Sequence, residues 1–256
     1  MISQIARSSK LELPRTLVLA AGKSTKNQPV SGGFPKPLLS IQGRTTLERN
    51  LSWLSQSGLD SVWVVLADDS KEIQTIIGDG SHVGLKVLYS PEPEILGTAG
   101  AYKKLESHWQ GVTLVVCGDS LVRFDLEKFL LAHKNPNADI TIALLDQNTH
   151  LHTAIAADRV VMDDLGRITD FVQTISSTTL CSTLVDAGVY LIEPEILDLI
   201  PPQTSYDFAQ DLFPRMLAEG YYLQGHLIDG YCLGLDSPEC YAKAMSFIDS
   251  KQIKLS

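Results

Sequence analysis

The sequence predicts an α/β fold: a largely parallel central sheet covered by helices, with antiparallel additions in its C-terminal half. Three observations carry this reading. Short continuous apolar runs, as in TLVL (16–19), VWVVLA (62–67) and VTLVVC (112–117), read as strands buried on both faces. Segments of helical period separate them. After residue 150 the rhythm changes to strand following strand, with little helix between.

The elements follow in order. The first strand, 16–19, ends at Ala20-Ala21-Gly22. Residues 45–58 place Leu47, Leu51 and Leu54 at i, i+4 and i+7, an amphipathic helix closed by Gly58. Strand 62–67 leads to a short helix at 70–77, begun by Ser70 as its cap. A strand at 85–89, a helix at 98–108, the central strand 112–117, a helix at 124–133 and an extended run at 139–145 complete the alternation. Runs 154–162, 168–172 and 185–192 are the antiparallel additions, and 207–220, 222–235 and 238–250 give helix, strand and helix. No repeat, low-complexity stretch or linker interrupts the chain. The expected organisation is one domain over 15–250 behind a polar tail at 1–14, which lacks the apolar centre of a signal peptide.

Composition narrows the function classes. The 256 residues are 44% apolar and 20% charged, as in soluble globular proteins, and the longest apolar runs are too short to span a bilayer. A cytoplasmic protein without a membrane partner is expected. The net charge of −9 argues against a nucleic-acid partner, which demands a basic surface. Cys117, Cys181, Cys232 and Cys240 form no C-x-x-C pair or zinc spacing, and Cys117 and Cys232 read as small buried thiols. Between Arg15 and Arg49, however, six cations (Arg15, Lys23, Lys26, Lys36, Arg44, Arg49) face one acid, Glu48. Either a small anion binds there or the cations form a solvated face.

In open α/β sheets ligands bind beyond the carboxyl ends of the strands. That rule selects the loop after Leu19, the acids after Ala67, the segment after Cys117 and the residues after Leu191. Gly22 lets the first loop turn tightly and aim backbone N–H groups at an anion. Lys23, Lys26 and Lys36 are placed to neutralise a triphosphate, and Pro35 and Pro37 restrict the backbone on either side of Lys36. A surface loop with lysines is the alternative; neither G-x-G-x-x-G nor the Walker loop fits the spacing. Asp119 follows the central strand behind Gly118, a position suited either to holding Mg²⁺ on a substrate phosphate or to capping a turn. Lysines and a metal carboxylate at one mouth together point to nucleotide chemistry.

These residues resemble the sugar-1-phosphate nucleotidylyltransferases. The family pattern L-A-A-G-x-G-T-R-L-x-P-x-T, three residues, then P-K-P-L is matched without insertion by Leu19, Ala20, Ala21, Gly22, Thr25, Pro29, Pro35, Lys36, Pro37 and Leu38. ILGTAGA (95–101), VVCGDSLV (115–122), VDAGVYLIEPEIL (185–197), DFAQDLFPRML and DGYCLGLDSPECYAKA match further motifs in order, so the similarity runs from about 16 to 245. No left-handed β-helix repeat follows, so no such C-terminal domain is expected.

The resemblance implies a Rossmann-like, three-layer α/β/α fold and the reaction of a nucleoside triphosphate with a sugar 1-phosphate, giving a nucleotide sugar and pyrophosphate with Mg²⁺ as cofactor. It implies that Leu19, Ala20, Ala21, Gly22, Lys23, Ser24, Thr25, Gly97, Thr98 and Gly118 surround the nucleotide. Lys26 and Lys36 would hold the triphosphate, Asp119 the metal, and Asp186 and Gly188 would face the sugar. The LGTAG segment is similar to that of guanylyl- and uridylyl-transferring relatives, which points to a purine or uridine nucleotide.

Several positions depart from the family pattern. Ser24 replaces a loop glycine, Lys26 an arginine, and Asp186 an asparagine. Gln173-Thr174-Ile175 stands where the family has an acid and a sugar-phosphate lysine. Gly234 stands at the second metal carboxylate, with Asp236 two residues on. Asp236 either reaches the metal, across the roughly 6.5 Å that separates alternate strand residues, or caps the helix at Pro238; the cap is the preferred reading. The alternative function is therefore a catalytically weakened homologue that binds or senses nucleotides or nucleotide sugars.

Overall fold

The computed structural model describes residues 13–22, 35–67, 70–134, 137–153, 159–172 and 182–255. Strands are β1 (Arg15–Leu19), β2 (Ser40–Ile41), β3 (Arg44–Thr45), β4 (Ser61–Ala67), β5 (Lys86–Glu92), β6 (Thr113–Cys117), β7 (Ser120–Arg123), β8 (Ile140–Asp146), β9 (Arg159–Met162), β10 (Ile168–Val172), β11 (Leu184–Ile192), β12 (Leu223–Leu227) and β13 (Tyr231–Gly234). Helices are α1 (Thr46–Gln56), α2 (Lys71–Ile77), α3 (Gly97–Lys104), α4 (Leu126–Ala132), α5 (Phe213–Glu219) and α6 (Pro238–Asp249).

Strands β5, β4, β1 and β6 lie side by side and parallel. Beyond β6 the sheet turns antiparallel: β11 pairs β6, and β8 pairs β11. β12 then runs parallel to β8, while β9 and β10 join along the other edge of the first half of β11. The continuous apolar runs serve two cores. Val18, Val64 and Val116 face Leu47, Leu51 and Leu54 of α1, Ile73 and Ile77 of α2, and Phe129 of α4. Their neighbours Leu17, Val65 and Val115 face Tyr102 of α3, Phe213 and Met216 of α5, and Phe208. Alternation along a strand puts successive side chains on opposite faces, so helices on both sides require apolar residues at every position. Burying each such side chain contributes about 1.5–3 kcal/mol. The result is the expected three-layer α/β/α arrangement.

Local chemistry sets the element ends. Thr45 accepts from the Glu48 backbone N–H while Glu48 accepts from the Thr45 N–H, a capping box that starts α1. Gly58, at φ 94°, closes that helix, with the Leu59 N–H bonded to Leu54 O. The Ser70 side chain makes no capping hydrogen bond to α2, contrary to the sequence expectation. The expected helix over 207–220 is a wide π turn at Phe208–Leu212 followed by α5.

The expected strand over 222–235 is two strands in different sheets. β12 stays in the main sheet, and Asp229-Gly230 turns the chain so that β13 pairs antiparallel with β7 in a separate two-stranded ribbon. The ribbon sits on a third, smaller core of Leu39, Ile41, Leu121, Leu233, Leu235, Ala244 and Ile248, beneath α6. This ribbon positions the site. Among the described residues no helix is long and apolar enough to cross a membrane.

Candidate active site

The carboxyl ends of β1 and β6 open on one mouth. Beyond the last ladder pair, the Gly118 N–H donates to Leu19 O at 2.8 Å, holding the turn after β6 against β1. A Cβ on Gly118 would lie 2.9 Å from Leu19 O and 3.0 Å from Val18 Cγ1. Glycine is therefore required by close approach rather than by an unusual φ. Asp119 follows at the head of β7, and Gly22 lies against it: a Cβ there would be 3.7 Å from Asp119 Oδ2.

Two further arms converge on Asp119. Lys36 opens a single 3₁₀ turn, in which Leu38 N–H donates to Pro35 O and Leu39 N–H to Lys36 O, fixing where its side chain leaves the backbone. Asp236 follows β13, whose last residue, Gly234, pairs with Ser120. The Lys36 ammonium donates to Asp236 Oδ1 at 2.5 Å and stands 3.8 Å from Asp119 Oδ2. Lys36 is mostly buried, the Asp119 side chain is 31% exposed, and Asp236 is the most open of the three at 44%.

The electrostatics follow from this geometry. Burial opposes the Lys36 charge, but the hydrogen bond to Asp236 and the fields of both carboxylates outweigh it and lift the ammonium above its usual 10.5. Burial, aided by the Asp236 charge, holds the Asp119 carboxyl above its usual 3.8 despite Lys36. Among the described residues, one cation stands between two acids at this mouth. The Cys117 and Cys232 thiols are pushed up by burial and by neighbouring acids, so neither is an activated nucleophile.

The helix cap expected of Asp236 belongs to its neighbour. Ser237 Oγ accepts from the Cys240 N–H at 3.2 Å, leaving the Asp236 carboxylate for Lys36. With Pro238 as the first helical residue, the cap position is the residue immediately before it, so the sequence expectation for Asp236 was one residue off.

The other predicted residues divide. Leu19, Ala20 and Ala21 line the β1 exit beside Gly22, with Ala20 N–H bonded to Val65 O. Gly97, at φ 73°, packs so closely on Tyr206 that a Cβ would meet Tyr206 O at 2.5 Å. Thr98 Oγ1 donates to Asp207 Oδ2 at 2.7 Å and accepts from the Phe208 N–H at 2.9 Å. Its side chain is thus committed to docking α3 on residues 204–208.

β11 runs antiparallel to β6, so the mouth receives its first half, not the residues after Leu191. There Asp186 accepts from the Gly188 N–H at 2.7 Å and from the Tyr190 hydroxyl at 2.9 Å, bracing a bulge in the strand. Gly188, at φ 69°, lies where a Cβ would be 3.0 Å from that of Cys117. Lys23, Ser24, Thr25, Lys26, the acids at 68–69, and Thr174 lie outside the described residues.

The four described members of the six-cation cluster do not assemble. Arg15 is at the opposite end of β1 from the mouth. Arg44 donates to Ser52 Oγ, and buried Arg49 donates to Ile41 O. Of the four described cations, only Lys36 faces the mouth. Sequence reasoning missed Thr46, Asn50 and Trp53 of α1, and read Arg49 as an anion-site cation; all four bond the backbone on either side of the site. Their signal was position: Asn50 and Trp53 fall three residues after Leu47 and Asn50, within the buried arc of the helix.

Comparison with known proteins gives a consistent picture. A UTP–glucose-1-phosphate uridylyltransferase of Synechocystis is 30% identical over 252 residues, covering 94% of this chain and 64% of the relative. A mannose-1-phosphate guanylyltransferase of Mycobacterium tuberculosis is 27% identical over 229 residues, covering 89% of this chain and 62% of the relative. The chain thus spans just under two thirds of the length of these curated relatives. The solved structure of HddC from Yersinia pseudotuberculosis superimposes with a TM-score of 0.77 at 22% identity, covering 92% of this chain and all of that one, which supports the fold. The family model for nucleotidyl transferases matches residues 15–249, nearly the whole described fold, and the chain belongs to that family.

Proposed function

We propose that the protein transfers a nucleotidyl group from a nucleoside triphosphate to a sugar 1-phosphate, releasing pyrophosphate. The observation that carries this reading is the meeting of Lys36, Asp119 and Asp236 at the carboxyl ends of β1 and β6. The two relatives above are named as a uridylyltransferase and a guanylyltransferase of hexose 1-phosphates, consistent with this chemistry.

The residues present fit Mg²⁺. This ion is typically bound through one or two carboxylates together with substrate phosphates, and Asp119 and Asp236 supply the carboxylates. Among the described residues there is no group of three or more His, Cys, Asp or Glu that could hold the ion unaided, so substrate phosphate and water would have to supply the remaining ligands. When bound, the ion would supply positive charge beside the two carboxylates, where the described residues place one ammonium.

In the reaction, an oxygen of the sugar phosphate attacks the α-phosphorus in line; the new O–P bond forms as the bond to the β-phosphate oxygen breaks. No protein nucleophile is required. Lys36 exchanges its Asp236 partner for phosphate oxygens and spreads the charge that builds on the leaving pyrophosphate. Gly22 and Gly118 let backbone approach the nucleotide, and the bulge braced by Asp186 presents β11 to the sugar. Lys26 belongs to the same triphosphate clamp in this reading. The meeting of Asp236 with Lys36 favours catalysis over the binding-only alternative, because it brings a second carboxylate to a site whose expected ligand position holds Gly234.

Pyrophosphate release, measured across nucleoside triphosphates and sugar 1-phosphates with Mg²⁺, tests the proposal. Turnover with at least one pair, abolished by Asp119→Ala, is the expected result. Nucleotide binding without release in every combination would refute it.

A further inference from the structure

Helix α1 carries a buried stripe that its apolar face does not explain. Thr46, Arg49, Asn50 and Trp53 fall at i, i+3, i+4 and i+7, so they lie along one side of the helix. Thr46 and Asn50 are fully buried, and Arg49 and Trp53 nearly so. Each side chain is spent on a backbone group belonging to one of the two arms that meet at the mouth.

Toward the Lys36 arm, Thr46 Oγ1 donates to Leu39 O at 3.1 Å, and Arg49 Nε donates to Ile41 O at 3.0 Å. These groups grip the chain immediately after the turn bearing Lys36. Toward the Asp119 arm, Asn50 Nδ2 donates to Ser120 O at 2.8 Å while its Oδ1 accepts from the Val122 N–H at 3.1 Å. Trp53 Nε1 donates to Phe124 O at 3.0 Å one step further along.

Residues i and i+2 of a strand offer an O and an N–H on the same edge. The Asn50 carboxamide therefore takes the place of a third strand against β7, whose other edge is paired with β13. The register pair Ser120–Gly234 then passes this restraint to Asp236.

We infer that α1 is the jig that sets the separation of Lys36 from the two carboxylates, with Asn50 as its principal positioning residue. The inference deepens the proposed reaction and rests on that reading for its kinetic consequence. Asn50 touches neither nucleotide nor metal; it acts through Ser120 on the residue before it. Its loss releases the head of β7, so Asp119 no longer holds a fixed distance from Lys36 or Asp236.

The test compares Asn50→Leu with Leu51→Ala, a control in the adjacent apolar face, at a temperature where circular dichroism shows both folded. Trp53→Phe, which keeps the ring and loses only the N–H, is the second variant if Asn50→Leu does not fold. The first readout is Mn²⁺ affinity in the presence of a non-hydrolysable UTP or GTP analogue, which supplies the phosphate oxygens, titrated by electron paramagnetic resonance; it needs no turnover. Asn50→Leu should weaken it about 10- to 100-fold, as loss of a group supporting a metal ligand does. Trp53→Phe should weaken it several-fold, and Leu51→Ala should leave it within twofold. The second readout splits kinetics: Asn50→Leu should lower kcat and raise the metal requirement, with the KM for nucleotide within about twofold.

Equal Mn²⁺ affinity in Asn50→Leu, Trp53→Phe and wild type, or an equal loss in Leu51→Ala, would overturn the inference. If wild type releases no pyrophosphate, the proposed reaction fails, while the Mn²⁺ titration still decides the role of Asn50.

Discussion

Gly118→Ala perturbs the site by a single methyl group. The new Cβ would sit 2.9 Å from Leu19 O and 3.0 Å from Val18 Cγ1, about 0.5 Å inside ordinary contact. Neither neighbour can yield: one is the backbone of a central strand and the other a side chain with no exposure. The turn must lift from β1, stretching the 2.8 Å bond from Gly118 N–H to Leu19 O. Overpacking of this kind costs about 1–3 kcal/mol. A weakened buried hydrogen bond adds up to about 1 kcal/mol. We expect a loss of about 2 kcal/mol in urea unfolding, or roughly 4–8 °C in Tm for a domain of this size. The same lift moves Asp119, and because a 1 Å misplacement can cost on the order of a hundredfold in rate, half that should cost on the order of tenfold in pyrophosphate release. Gly111→Ala is the control: its φ is 76° with nothing near its Cβ, and it precedes β6 at the opposite end. It should lose about 1 kcal/mol for its conformation and keep full activity. Gly118→Ala with wild-type stability and wild-type rate would refute the claim that close approach to β1 sets Asp119.

Three further outcomes follow from the same geometry. Gly97→Ala should be more destabilising than Gly118→Ala, on the order of 3 kcal/mol, because a left-handed φ and a 2.5 Å clash with Tyr206 O coincide; equal urea midpoints for the mutant and wild type would contradict this. Lys36 is held above its usual 10.5, so its stabilisation is complete below that value and is lost as pH rises through the higher folded value; Lys36→Met should therefore remove part of the wild-type loss of Tm above about pH 10.5. Asp119 is held above 3.8, so its ionisation opposes folding at neutral pH; Asp119→Asn should match or exceed wild-type Tm at pH 7 in the absence of metal while abolishing turnover, and a lowered Tm would count against the crowded-carboxylate account.

Much of the fold could be read because its physics is repetitive. Val18, Val64 and Val116 on one face, with Leu17, Val65 and Val115 on the other, leave the uninterrupted apolar runs that only a doubly covered sheet requires. The ribbon was harder to read. Residues 222–235 look like one long strand, and only Asp229-Gly230, a common turn dipeptide, marks the change of sheet. Gly230 is itself informative in the structure, since a Cβ there would collide with Arg123 O.

Within the site, Lys36 and Asp119 were legible because each follows a strand or a proline-bracketed turn. The partner of Lys36 was not: Asp236 was read as the helix cap, a role that Pro238 at the first helical position gives to Ser237, and the contact with Lys36 spans 200 residues of sequence. Likewise the six nearby cations suggested an anion site by sequence proximity, yet Arg49 is buried in α1 contacts and Arg15 lies at the far end of its strand. Charge counted along a chain does not report which way side chains point. The Asn50 stripe escaped because an amphipathic pattern is read from its leucines, while a polar residue on the buried arc is the informative one.

A crystal structure with nucleoside triphosphate and Mg²⁺ tests the central claim most directly. The account predicts one metal bound by both Asp119 and Asp236, with the Lys36 nitrogen moved from Asp236 onto a phosphate oxygen. A triphosphate bound elsewhere, with the 2.5 Å contact between Lys36 and Asp236 intact, would contradict it.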